Sequence, residues 1–253
     1  MNGFGLNLYS LRNSIKTENE LLETAIRLKD MGYSFLQFSG APFDADMIKR
    51  VSDESGMPVV LTHVPMDRII GDTDKLMEEH ALFGCTRIGL GAMGSKIILD
   101  ETLCKKTIED LEAAAEKMEA NGFSFFYHNH HHEFYAYHGE TVFDYMIKNA
   151  PHINFTFDTY WAQYGGVNVE RFIDKLNGRI NCVHLKDYRI TLKEKLVPDY
   201  APVGDGLIDF ASIIPKMKAA GAEYFIVEQD NAADAADPFA EVERSIKYLK
   251  EAF

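Results

Sequence analysis

INFTFDTYWAQYGGVNVERFIDKLNGRINCVHLKDY, residues 153–188, is the stretch that decides the fold. It holds two short β-type runs, INFTFD from Ile153 and INCVHLK from Ile180, with an amphipathic stretch between them. The first is rich in Ile and Phe and the second in Ile, Val and Leu, as strands buried on both faces are. Both end in groups that carry chemistry: DTYW at 158–161 and HLKDY at 184–188.

The same alternation continues outward in both directions. Upstream lie FGLNLYS from Phe4, SFLQFS from Ser34, PVVLTHV from Pro58, TRIGL from Thr86 and FSFFYHN from Phe123, and downstream lies YFIVEQ from Tyr224. The clearest helical pattern runs from about Asp100 to Ala120, where Leu103, Thr107, Leu111, Ala115 and Met118 share one face. Gly32, Gly56, Gly84, Gly122 and Gly221 each stand between a helical stretch and the next run, where glycine readily closes a helix. Eight strands alternating with eight helices predict an α/β chain folded as a single (β/α)8 TIM barrel over residues 1–253. A doubly wound sheet is the competitor, but no GxGxxG follows the first run.

Composition sets the bounds. The chain has 253 residues, of which 46% are hydrophobic and 12% aromatic, enough for a large core. A barrel of this kind is commonly ~250 residues. The formal charge of −13 argues against nucleic acid as the partner, because phosphate backbones need a basic surface. Cys85, Cys104 and Cys182 are widely spaced and make no CxxC pair. MNGFGLNLYSLRN lacks a basic segment followed by an apolar one, and no apolar run reaches the ~20 residues of a membrane span. A cytoplasmic protein away from membranes is the expectation. Aromatics in the barrel loops are compatible with a homodimer.

In a barrel the chemistry gathers where strands end at their C-terminal side. The first run ends at Tyr9 and Ser10, the third at His63, the fifth in HNHHHEF (128–134), the sixth at Asp158, the seventh at His184 and the eighth at Glu228. One such residue is usually a cap or a loop hydrogen-bonder. Together Asp158, His184 and Glu228 converge on one mouth, and carboxylates with imidazole suit one divalent ion: Mn²⁺, Mg²⁺, Co²⁺ or Zn²⁺. A fourth ligand is expected in 128–133: Glu133 first, with His128 and His130 as rivals. His128 and His130 share a strand face. Lys186, two residues after His184, points the same way and can bind a phosphate or steady a developing enolate oxygen. Trp161 can stack on the apolar face of a sugar ring, and His63 can hold substrate hydroxyls. The long loop from Arg189 to Asp209 carries PVGDG (202–206) and suggests a lid, with Asp209 capping the next helix.

YHNHHHEF from Tyr127, FDTYWAQYGG from Phe157, RINCVHLKDY from Arg179, PVGDGLIDF from Pro202 and FIVEQD from Phe225 resemble the sugar phosphate isomerase/epimerase family of xylose isomerase-like TIM barrels. LNLYSLR near the start and THVP at Thr62 match more weakly. The resemblance implies a metal held by Glu, Asp, His and Glu from strands five to eight: Glu133, Asp158, His184 and Glu228. Many relatives have a glutamate at the fifth strand end, where this chain has His128 or Asn129. In such relatives the first and last metal-bound glutamates exchange the substrate proton. Here the resemblance leaves Glu228, with His128 or His130 as base and Lys186 beside them. It implies a carbohydrate substrate, with or without phosphate. The reaction implied is proton abstraction beside a carbonyl through a metal-stabilised enediolate, giving isomerisation or epimerisation. The same first step serves a lyase or dehydratase, on an inosose-like ketone or by β-elimination from a 3-keto-glycoside.

Overall fold

The structure, a computed structural model, describes residues 3–176 and 178–253. Eight parallel strands form a closed barrel: β1 (Phe4–Asn7), β2 (Phe35–Phe38), β3 (Val59–His63), β4 (Arg87–Leu90), β5 (Ser124–His128), β6 (Asn154–Asp158), β7 (Cys182–Leu185) and β8 (Tyr224–Val227). Each strand pairs with its neighbours in sequence, and β8 returns to β1 with Phe4 opposite Phe225. One principal helix follows each strand: α1 (Glu18–Met31), α2 (Ala45–Ser55), α3 (Thr73–Leu82), α4 (Glu101–Ala120), α5 (Val142–Asn149), α6 (Val169–Lys175), α7 (Phe210–Ala219) and α8 (Pro238–Ala252). This is the expected (β/α)8 barrel.

Local chemistry sets the helix ends. Thr17 and Glu20 form a reciprocal capping box on α1, and Gly32 closes that helix at φ 102°. Asp100 caps α4 through Leu103 N, and Asp209 caps α7 through Ser212 N at 3.1 Å. The buried face of α4 is turned slightly from the expected one. Cys104, Ile108 and Leu111 are buried, whereas Leu103 is 46% exposed. No helix among the described residues is long and apolar enough to cross a membrane.

Strand alternation builds the inside of the barrel. Phe35, Leu61, Phe126, Cys182 and Ile226 form a core cluster of their own, apart from the larger one between strands and helices. Gly5 and Gly89 hold the matching points on β1 and β4. A Cβ on Gly5 would lie 2.2 Å from the Phe35 ring, and one on Gly89 2.5 Å from the Thr62 carbonyl. The large rings therefore fill the floor only because two strands contribute no side chain there. Two residues further along, the next inward-facing position is polar on seven of the eight strands, Asn7, Gln37, His63, His128, Asp158, His184 and Glu228, and is Gly91 after β4. An apolar floor thus lies directly under a polar mouth.

Two loop expectations change. The chain leaves β1 at Asn7 and enters a 3-10 turn, Leu8–Ser14, so Tyr9 and Ser10 are turn residues and Asn7 ends the strand. The segment expected as a lid is largely an antiparallel hairpin, Asp187–Leu192 against Leu196–Ala201. Its backbone groups pair with each other, so it is a formed arm and not an open loop.

Candidate functional site

His128, Asp158, His184 and Glu228 are buried, and one donor atom of each lies within 4.8 Å of the others. His184 Nδ1 stands 3.1 Å from His128 Nε2 and 3.1 Å from Glu228 Oε2. His128 Nε2 is 3.3 Å from Asp158 Oδ2. The second nitrogen of each ring faces a fixed acceptor. His128 Nδ1 lies 2.9 Å from the Gly91 carbonyl, and His184 Nε2 lies 2.6 Å from Gln37 Oε1. A carbonyl can only accept, so those nitrogens carry the protons. The lone pairs of His128 Nε2 and His184 Nδ1 then point at each other and at two carboxylates. Four acceptors converge, and Lys186 Nζ reaches only Glu228 Oε2, so the arrangement calls for a proton or a cation at its centre.

A divalent ion fits this donor set. Two imidazoles and two carboxylates suit Zn²⁺, Mn²⁺ or Co²⁺, and each imidazole has the outer hydrogen bond that orients a ligating ring. Without an ion, burial disfavours a proton on His128, but Asp158 and Glu228 outweigh it and raise the ring above its usual range. His184 is lowered, chiefly by burial. Burial alone would raise Glu228, yet Lys186 and His184 hold its carboxyl well below the ordinary value.

Around the four residues lies a shell that local patterns do not single out. Asn7 Nδ2 donates to Glu228 Oε1 at 2.6 Å. Gln37 donates through Nε2 to His63 Nε2 at 2.9 Å, so one amide links His184 to His63. Asp230 accepts from Lys186 Nζ at 2.8 Å, and Lys186 also reaches Glu228 Oε2 at 3.1 Å. Lys186 is fully buried, with its ammonium over the rings of Trp161 and Tyr200. Burial would lower its pKa, but Glu228 and Asp230 drive it above the usual lysine value, so it stays charged. Asn7, Gln37 and Asp230 escaped the sequence reading. The period-two rule applied to β1 and β2 would have placed the first two at the mouth.

Glu133 stands elsewhere. After His128 the chain turns, and His132–Phe134 form a 3-10 turn that folds Glu133 back beneath the loop. Its Oε1 accepts from Tyr127 OH at 2.6 Å and its Oε2 from His130 N at 2.7 Å. Glu133 belongs to a separate group with His130 and His132, and His128 takes the fourth place beside Asp158, His184 and Glu228. The strand ends at His128, and the turn that follows carries Glu133 away from the mouth. His130 and His63 line the open cavity over the centre, about 300 Å³, together with Lys186, Glu228 and Asp230. Burial, with His128 and Lys186 nearby, keeps His130 well below its usual pKa, and its Nδ1 is buried without a partner. His63 is lowered likewise, chiefly by burial. Trp161 sits beside this cavity in the helix Thr159–Tyr164, against His130 and His131.

The family model described as "Xylose isomerase-like TIM barrel" matches residues 26–252. The chain belongs to that family. An inosose dehydratase of Geobacillus thermodenitrificans (strain NG80-2) is 29% identical over 112 residues, 39% of this chain and 38% of that protein. The match thus spans well under half of that relative's length. A crystal structure of a sugar phosphate isomerase/epimerase from Parabacteroides distasonis ATCC 8503 superposes with a TM-score of 0.83 at 23% identity, covering 99% of this chain and 94% of that one. An L-ribulose 3-epimerase structure gives 0.74 at 17% identity, covering 100% and 94%. At these identities the structural likeness speaks for the fold.

Proposed function

We propose that this barrel is an enzyme that moves a proton at the carbon beside a carbonyl of a carbohydrate, as an isomerase or epimerase. One observation carries the reading. His128, Glu228, Lys186 and His130 border one cavity, and Asp158 and His184 lie buried beside them with donor atoms within 4.8 Å of those of His128 and Glu228. A divalent ion at His128, Asp158, His184 and Glu228 would polarise a substrate carbonyl and its neighbouring hydroxyl, making the adjacent C–H more acidic.

The chain's own groups divide the remaining work. His130 borders the cavity, and its neutral imidazole takes the proton. Lys186 remains an ammonium and steadies negative charge on the substrate oxygen as the enediolate forms. His63 receives a hydrogen bond at Nε2 from Gln37, which leaves its Nδ1–H to hold a substrate hydroxyl. Trp161 walls one side of Lys186 and limits water around the ammonium.

A second reading, a lyase or dehydratase on the same scaffold, has a specific observation in its favour. His128 or Asn129 stands where the family resemblance implies a glutamate, and Glu133 is tied to Tyr127 and to the His130 backbone. That leaves one uncommitted base, and one base suffices for elimination as it does for aldose–ketose isomerisation. The similarity to an inosose dehydratase points the same way. The test is proton NMR of the Mg²⁺- or Zn²⁺-loaded protein with a panel of ketoses, inososes and 3-keto-glycosides in D₂O. Deuterium beside the carbonyl with conversion to an isomer or epimer is expected. Loss of water or an aglycone selects the lyase. No exchange with any compound overturns both readings.

A further inference from the structure

The kind of loop amides that hold phosphate in many barrels is already occupied here by the chain itself. In many barrels the loops after the seventh and eighth strands cradle phosphate with backbone N–H groups at a helix start. Here the PVGDG segment follows β7 in the chain and precedes α7. Its backbone amides converge on a carboxylate of the same chain, Asp187. Gly204 N and Gly206 N donate to Asp187 Oδ2, each at 3.0 Å. Leu207 N, Ile208 N and Tyr188 N donate to Asp187 Oδ1 at 3.1, 3.2 and 2.8 Å. Five donors around one anion make a complete nest. The fit is close, since a Cβ on Gly206 would lie 2.2 Å from Asp187 Oδ1.

The mouth offers a phosphate nothing in exchange. Among the described residues, Lys186 is the only lysine or arginine lining the cavity, and it is shared between Glu228 and Asp230. The nearby Arg12 is held by the Asp230 carbonyl at 2.7 Å and by Asp234 Oδ2 at 3.0 Å, and it lies over the Tyr9 ring. Asp158, Glu228 and Asp230 outnumber the one ammonium. A divalent ion would bring the site to neutrality and leave no surplus positive charge for a phosphate dianion.

We infer that the site takes an unphosphorylated polyhydroxy carbonyl compound, and that Asp187 occupies the loop amides on which a phosphate group would otherwise find its donors. This rests on the carbohydrate reading above. Lys186 and Asp187 divide the end of β7 between them: one faces the substrate and its neighbour fills the nest.

The test compares ligands in pairs, D-fructose with D-fructose 6-phosphate and D-ribulose with D-ribulose 5-phosphate, and includes inorganic phosphate alone. Trp161 fluorescence and the thermal midpoint of the Mn²⁺-loaded protein are read at constant ionic strength. In any pair that binds, the free sugar is expected to bind at least tenfold tighter, and inorganic phosphate to bind more weakly than 10 mM. In Asp187→Ala, which empties the nest, inorganic phosphate is expected to protect the protein at concentrations that leave the parent unchanged. A phosphate ester binding tighter than its free sugar, or sub-millimolar phosphate binding to the parent, overturns the inference. If the variant does not fold, the parent titrations decide alone. Failure of the proton-transfer reading shows separately, as absence of deuterium exchange, and leaves the phosphate result standing.

Discussion

Replacing Gln37 by Met removes one amide and should disable the centre without touching any of its four donors. Gln37 is fully buried; its Oε1 accepts from His184 Nε2 at 2.6 Å and its Nε2 donates to His63 at 2.9 Å. Methionine is close in length but leaves His184 Nε2–H unpaired in the interior, which costs ~1–3 kcal/mol. It also frees the ring to turn its Nδ1 away. Loss of such an orienting partner typically weakens metal binding ~10–100-fold, or about 1.4–2.7 kcal/mol. With metal at ~100 times the parent Kd, binding stabilises the fold by about 2.7 kcal/mol, and a hundredfold weaker Kd leaves about 0.4 kcal/mol. The rise in thermal midpoint on adding Mn²⁺ or Zn²⁺ should therefore nearly vanish. Gln37→Glu separates orientation from packing, because a carboxylate still accepts from His184 but cannot donate to His63. Its affinity should stay within a few-fold of the parent. The assay is competition against a fluorescent chelator, with circular dichroism to confirm folding. A folded Gln37→Met protein that binds within twofold of the parent refutes the argument. Equal loss in Gln37→Glu refutes the orienting role and leaves only packing.

Glu133→Gln should keep one bound ion by elemental analysis and lose ~1–3 kcal/mol in urea unfolding, because its buried partners are mispaired, whereas His128→Ala should lose the ion. His80 is held neutral, its pKa lowered to about 4 chiefly by burial, with Nε2 on Thr62 and Nδ1 on Leu76. A depressed histidine contributes stability that is fully present above pH 6.5 and lost as pH falls through about 4. Between pH 7 and pH 4 the parent should therefore lose about 3 kcal/mol more than His80→Gln in denaturant titrations. Gly206→Ala forces a methyl into the Asp187 carboxylate and should cost ~1–3 kcal/mol by thermal unfolding, while Leu207→Ala, at an exposed site in the same loop, should cost under ~0.5 kcal/mol.

The barrel was legible because its strands are short, apolar and punctuated. INFTFD and INCVHLK differ from the strands Asn154–Asp158 and Cys182–Leu185 only at their ends. Asp158, His184 and Glu228 stood out because a charged group directly after an apolar run has few places to go but the mouth. The fifth strand was harder to read. HNHHHEF offers four histidines and a glutamate, and which of them faces inward depends on where the strand stops. It stops at His128, so the alternation that would have set His130 and His132 on the same face ends there, and a turn decides where Glu133 goes. Asn7 and Gln37 were hidden for the opposite reason. They are neutral amides inside apolar runs and look like ordinary strand residues until the ring of neighbours is closed. The bond between Asp187 and the GDG turn spans 17 to 21 residues, and no local periodicity encodes it.

Anomalous diffraction from a crystal of the tag-free protein grown with Mn²⁺ tests the central claim most directly. The account predicts one strong peak, ~2.0–2.2 Å from His128 Nε2, Asp158 Oδ2, His184 Nδ1 and Glu228 Oε2. A peak on Glu133, His130 and His132, or none at saturating Mn²⁺, would contradict it.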